Sequence, residues 1–288
     1  MLYLRLAYRL LGLVLCTCIG LAAAPCRAQE PPRVFLYPEL LQGLYVYANH
    51  PNRDLASATT GRIAVWLYEH WLIGATYRFT YLHGKAATDA AWQQHDVYSV
   101  AGYAERRFGL TLHYAMIHGA LNAAENYADT SHHLGLSARY SPFGDGVFTF
   151  ATSLYGTTPV LRGELSWRFP LWRGISLKPA FALQWSADGF LPNGGLTARY
   201  DHTRFGVFAG GKYGWEKKPA YLMYEFIYNG PDRINYGLWA GVYGRPRAGW
   251  TLSLTYALDH LVSDAATSSA TALSYDAHYL TAGVSKEF

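Results

Sequence analysis

Cysteine is scarce and confined to one end of the chain: Cys16, Cys18 and Cys26 are the only three. They fall in a stretch laid out as a secretory signal peptide. Arg5 and Arg9 make a basic start, residues 10–24 form an apolar run, and Cys26-Arg27-Ala28 is an acceptable cleavage site. Residues 1–28 are therefore read as a signal peptide and residues 29–288 as the mature protein. Pro25 before Cys26 does not suit lipid attachment, and the run falls short of the ~20 apolar residues of a spanning helix. The mature chain then has no thiol, which excludes disulfides, cysteine nucleophiles and thiolate metal sites. Its stability has to come from elsewhere than a disulfide framework.

Net charge is also lacking. Removing Arg5, Arg9 and Arg27 from 24 basic residues leaves 21 against 20 acidic ones, a balance of +1. Nothing in that balance points to nucleic acid. Beyond the leader no apolar run is long enough for a membrane helix. P-loop, dinucleotide and calcium-loop motifs are absent, and no cofactor is implied. The eleven histidines do not assemble a metal site along one strand. His132 and His133 face opposite ways, as do His113 and His118. His133 and Ser137 share a face but lie ~13 Å apart along a strand, too far for a nucleophile–base contact.

What is present is alternation. Aromatics make up 16% of the chain and apolar residues 51%, dealt out with a period of two. Trp250, Leu252, Leu254 and Tyr256 oppose Thr251, Ser253 and Thr255. Leu134, Leu136, Ala138 and Tyr140 oppose His133, Gly135, Ser137 and Arg139. Leu161, Leu165, Trp167 and Phe169 oppose Arg162, Glu164, Ser166 and Arg168. This is the signature of strands with two unlike faces. Residues 29–41, with Pro31, Pro32 and Pro38, read as a lead-in or a poorly formed first strand. Pro192-Asn193-Gly194-Gly195 reads as a turn. At the end, Leu280, Ala282 and Val284 alternate with Tyr279, Thr281, Gly283 and Ser285, and the chain stops on Phe288.

That ending resembles the closing strand of Gram-negative outer-membrane β-barrels, whose final aromatic is read by the assembly machinery. The resemblance implies a bacterial outer-membrane location, with Phe288 as the assembly signal. It also implies barrel-assembly machinery, outer-membrane lipid and lipopolysaccharide as partners. A soluble β-sandwich or lipocalin-like barrel would alternate too. Many strands of similar length, a non-apolar face of Gly, Ser and Thr, and aromatics near strand ends favour the membrane form. Tyr81, Tyr140, Trp167, Phe169, Trp185 and Tyr213 fit interfacial girdles.

Fifteen candidate strands can be marked, among them residues 221–228, but single-chain bacterial barrels have an even number. Residues 84–94, 119–131 and 259–272 are long polar connections and belong outside. Loops on one side must follow strands of one parity, so the surplus strand lies between Leu134 and Leu258. The expected fold is an all-β, transmembrane, antiparallel up-and-down barrel of about fourteen strands, with twelve or sixteen as alternatives.

With the apolar face toward lipid, the other face lines a lumen. It carries Arg62, Arg78, Arg139, Arg162, Arg168, Lys178, Arg199, Arg204 and Lys212, against Glu164, Glu225 and Glu287. Charged rings inside a pore select ions by sign, and arginine suits carboxylate and phosphate groups. The expectation is a passive channel for small anionic or acidic solutes such as acidic oligosaccharides. The plainer reading pairs these arginines with loop acids such as Asp89, Glu125 or Asp264. Two other classes remain: a lipid-modifying enzyme, whose usual histidine followed by Ser-Asn-Gly is missing here, and a non-channel barrel aiding envelope assembly or polysaccharide export.

Overall fold

The computed structural model describes residues 34–49, 53–84, 91–105, 107–122, 127–140, 145–155, 158–187, 189–217, 220–221, 226–227, 232–262 and 274–288. The signal segment 1–28, Glu225, Asp89, Glu125 and Asp264 lie outside the described residues. The strands are β1 (Val34–Ala48), β2 (Arg53–Leu67), β3 (Trp71–Gly84), β4 (Ala91–Ala104), β5 (Phe108–Asn122), β6 (Tyr127–Tyr140), β7 (Asp145–Tyr155) and β8 (Thr158–Trp172). They continue with β9 (Ile175–Ser186), β10 (Gly189–Asp201), β11 (Phe205–Lys217), β12 (Ala220–Tyr221), β13 (Phe226–Ile227), β14 (Arg233–Gly244), β15 (Trp250–Val262) and β16 (Ser274–Lys286).

Fourteen of these close into one antiparallel barrel, each paired with its neighbours in sequence and β1 with β16. The exception is at β11, which pairs directly with β14, while β12 and β13 pair only with each other. The surplus candidate at 221–228 is therefore a short hairpin off the barrel ring, inside the interval that loop parity marks. Closure satisfies the backbone polar groups at every edge, which a sheet in lipid requires.

The faces separate as the alternation implies. Leu112, Leu136, Phe181 and Leu252 are 43–56% exposed on the outside, whereas Ser137, Arg162 and Gln184 are buried within. A soluble barrel would reverse that arrangement. At the end of the barrel where the turns are short, exposed aromatics stand at strand ends: Trp71, Phe108, Tyr140, Trp172, Phe205 and Trp250. Short turns mark the periplasmic side of such barrels. Of the expected girdle, Tyr140, Phe169, Trp185 and Tyr213 are exposed.

Three local readings change. Residues 34–41 are strand, with Pro38 inside β1, and Pro192 to Gly195 lie inside β10 rather than in a turn. Each proline stands where one of its two ladders stops. The β1–β16 register ends at Glu39, and the β10–β11 register begins at Asn193. A missing N–H therefore costs no bond in the ladder on that side. Below Pro38 the seam is finished by backbone bonds between Leu36 and Phe288 in both directions. The third change concerns the long connections, which are shorter than expected. Ladder pairing continues through 91–94, 119–122, 127–131 and 259–262.

Gly214 marks a register shift between β11 and β14, with φ of +126°. A Cβ there would press on the Pro192 carbonyl oxygen and on Asn193. Gly214→Ala is expected to destabilise the barrel by about 1–3 kcal/mol, read as a lower urea midpoint in lipid vesicles. Gly163→Ala is the control, because nothing lies within 4 Å of its Cβ position, and its midpoint should stay close to that of the parent.

Candidate functional site

The interior is divided. Toward the long connections the inward side chains are packed. Ile234, Leu261, Tyr275 and Ala277 are 0–2% exposed and pack against Tyr47 and Tyr279. Arg53 Nη1 donates to Asp232 Oδ2 at 2.9 Å and to Tyr275 Oη at 2.9 Å, and the Tyr275 hydroxyl donates to Asp232 at 2.5 Å. On the opposite wall Ala115, Ile117, Ser131 and His133 are equally buried. A cavity of about 680 Å³ occupies the remaining lumen. It runs from Ser176 and Arg199, near the short-turn end, up to Tyr45, Glu216 and Asp259.

Eight of the residues expected in the lumen line this one cavity: Arg62, Arg78, Arg162, Glu164, Arg168, Lys178, Arg199 and Lys212. Three do not. Arg139 is exposed at the short-turn end of β6. Arg204 belongs in the exposed turn between β10 and β11, with its carbonyl accepting from Arg245 N–H, so strand parity does not extend to it. Glu225 is outside the described residues. Glu287 is exposed past the end of β16.

Most of the lining charges are matched. Arg162 Nη1 donates to Glu216 at 2.6 Å and Nη2 to Glu164 at 3.0 Å. Lys212 Nζ donates to Glu216 at 2.8 Å and lies 3.8 Å from Asp259. That last approach depends on Gly237, the residue between them on β14. A Cβ there would collide with Asp259 Oδ1 and the Lys212 chain. Arg78 donates to Tyr45 Oη at 2.5 Å and lies over its ring. Nearer the mouth, Arg62 pairs with Glu39 at 3.0 Å. Arg199 Nε reaches both Asp201 oxygens at 2.8 Å, and Tyr243 bonds Asp201 and accepts from Arg199 Nη2.

Arg168 is different. It makes no ion pair among the described side chains, and that of Asp145 is not one of them. Its register partner on β7 is Asp145. On the other side, the β8–β9 register continued between Ser166↔Ala180 and Phe169↔Leu177 sets it opposite Lys178. Seven basic side chains thus line the cavity against three acidic ones, Glu164, Glu216 and Asp259. In the same wall Asn193 is buried and its Nδ2 has no partner among the described residues.

Glu216, Asp259 and Asn193 escaped the sequence reading. Glu216 lies past the alternating stretch that ends at Tyr213, Asp259 opens the stretch 259–272 read as a connection, and Asn193 falls in an apparent turn. The same holds for the histidines. His113 Nε2 is 2.9 Å from Ser137 Oγ on the next strand, a contact that only cross-strand register reveals. Both are buried and neither lines the cavity.

No family model matches the sequence and no curated protein matches it. The fold does have neighbours. The Ralstonia pickettii toluene transporter TbuX matches with a TM-score of 0.57 at 10% identity, over 91% of this chain and 90% of that one. The Acinetobacter baumannii outer membrane protein Omp33 matches with a TM-score of 0.51 at 6% identity, over 88% and 99%. A bacterial polysaccharide outer membrane secretin matches with a TM-score of 0.51 at 12% identity, over 88% and 98%. By fold the chain is a closed fourteen-stranded barrel of the bacterial outer-membrane type.

Glu216 is 1% exposed and holds two cations. Glu216→Gln leaves Arg162 and Lys212 short of a counter-charge, an expected loss of about 3–5 kcal/mol for a broken buried pair. Urea unfolding in vesicles should show it. A midpoint equal to the parent's would mean that the network adds nothing to stability.

Proposed function

We propose that this chain is an outer-membrane channel with a preference for small anionic or acidic solutes, acidic oligosaccharides among them. The observation that carries the reading is the lining of the cavity, where seven basic groups face three acidic ones and Arg168 stands opposite Lys178. The Arg168 guanidinium is a planar fork suited to the carboxylate or phosphate of such a solute. Asn193 Nδ2 adds a donor without a partner in the same wall.

The test is single-channel conductance of the mature protein in a planar bilayer under a salt gradient. Anion-selective openings are expected, and Arg168→Glu with Lys178→Glu should shift the selectivity toward cations. Cation selectivity of the unaltered protein would overturn the reading. The packed half of the lumen favours a second reading, a barrel that does not conduct and serves envelope assembly or polysaccharide export. Silence from a folded barrel would support it.

Phe288 is proposed as the assembly signal, with barrel-assembly machinery as the partner that reads it. Its ring is 60% exposed while its backbone completes the seam with Leu36. Deleting Phe288 should lower the amount of barrel in the membrane and leave the conductance of each remaining barrel unchanged. Normal membrane levels of the truncated chain would count against that role.

A further inference from the structure

The outer face carries polar groups where a lipid-facing strand would ordinarily be apolar, and they recur at one level. Tyr77, Tyr114 and Tyr256 are outward, and each is the seventh residue of its strand from the short-turn end. Each hydroxyl meets Nδ1 of a histidine on the next strand: His95 at 2.7 Å, His132 at 3.0 Å and His278 at 2.8 Å. Between the first two pairs, His118 Nδ1 is 2.9 Å from Thr130 Oγ1. His95 and His118 are direct register partners. Residue 132 lies two positions from Thr130, the partner of His118, on the same face. Three imidazoles from β4, β5 and β6 therefore form one patch, all anchored through Nδ1. Among the described residues none of the three Nε2 atoms has a partner.

The level identifies what meets them. Eight to ten residues of tilted strand above the aromatic ring at the short-turn end amount to about 20–25 Å, the height of the apolar band of such barrels. The patch therefore lies where acyl chains give way to headgroups on the long-connection side. An unpaired N–H would be costly among acyl chains but well placed against a headgroup. The Nε2–H tautomer is the one in which the hydroxyl donates to Nδ1, and a protonated ring carries a proton on Nε2 as well; in either form the three rings offer N–H donors outward. The cluster of three is confined to β4, β5 and β6, and the Tyr256–His278 pair stands apart on β15 and β16. Near the same level, β9 and β11 carry Trp185, Tyr213 and Trp215.

We propose that His95, His118 and His132 form a binding patch for the phosphate of an outer-leaflet lipid headgroup. The test uses the mature barrel in nanodiscs of phosphatidylcholine containing lipid A, either bis-phosphorylated or dephosphorylated, with bound lipid counted by native mass spectrometry. The phosphorylated form should be retained preferentially. His95→Phe/His118→Phe/His132→Phe should lose about tenfold in that retention, as expected for lost hydrogen bonds to a charged group. Trp185→Phe on the other part of the wall should not. Heat-modifiable gel migration verifies folding, and His118→Phe alone, at the centre of the patch, replaces the triple variant where that variant does not refold. Equal retention of both lipids, or of phosphorylated lipid by parent and variant, would overturn the proposal. So would full competition by inorganic phosphate, or binding of zinc in place of the lipid.

Discussion

Closure of the hydrogen-bonded ring is the constraint on which the rest depends. A strand in lipid cannot leave a row of N–H and C=O groups unpaired, so the first and last strands must find each other. β1 and β16 do so over ten register positions, and the ladder resumes past Pro38 through Leu36 and Phe288. Once the ring is closed, its outer face has to be apolar. Most charges in the middle of the strands are then directed inward, and a fourteen-stranded interior has to be filled or hydrated. The ion-pair network is a consequence of that inversion. Buried ion pairs are weak evidence of stabilisation in themselves. Here Arg162, Glu164, Lys212, Glu216 and Asp259 compensate one another on strands whose other face is committed to lipid.

The sequence makes the faces legible because a period of two survives without knowledge of partners. That is why Arg162, Glu164, Arg168 and Lys178 could be put on one side from the chain alone. What it leaves out is register. Arg162 and Glu216 are 54 residues apart, and no local pattern says that they meet across the lumen. His113 and Ser137 lie on the neighbouring strands β5 and β6, and their 2.9 Å contact is diagonal between them. Proline was the other source of error. Read locally, Pro38 and Pro192 end strands. In the barrel each lacks only a bond that its ladder does not make at that point. Parity also fails wherever the chain leaves the ladder, which is how Arg204 came to be expected in a lumen when it belongs to a turn.

The interior is not uniform, and the division follows side-chain size. Tyr45, Tyr47, Tyr275 and Tyr279 come from the adjoining strands β1 and β16 and meet Leu261 and Ile234 from β15 and β14. Lower down, the facing positions hold small residues: Gly43, Ala58, Ala180, Ala182, Gly195 and Ala257 line the cavity. Bulky aromatics fill one level, and small residues leave room at the next. The cavity is therefore encoded in the same alternating positions that make the wall.

Shared architecture at 6–12% identity shows that the barrel is specified by periodicity and closure rather than by particular residues. A toluene transporter and a polysaccharide secretin can resemble the same chain for that reason. The fold consequently carries no cargo preference of its own, and any preference has to be written on the inner wall. On this wall the feature that varies is charge. Arg168 has Asp145 as its register partner on β7 and lies across from Lys178 on β9, while Arg162, Glu164, Lys212, Glu216 and Asp259 balance one another higher up. Discrimination between charged solutes, where a barrel of this kind makes any, has to act through such side chains and not through the ladder that carries them.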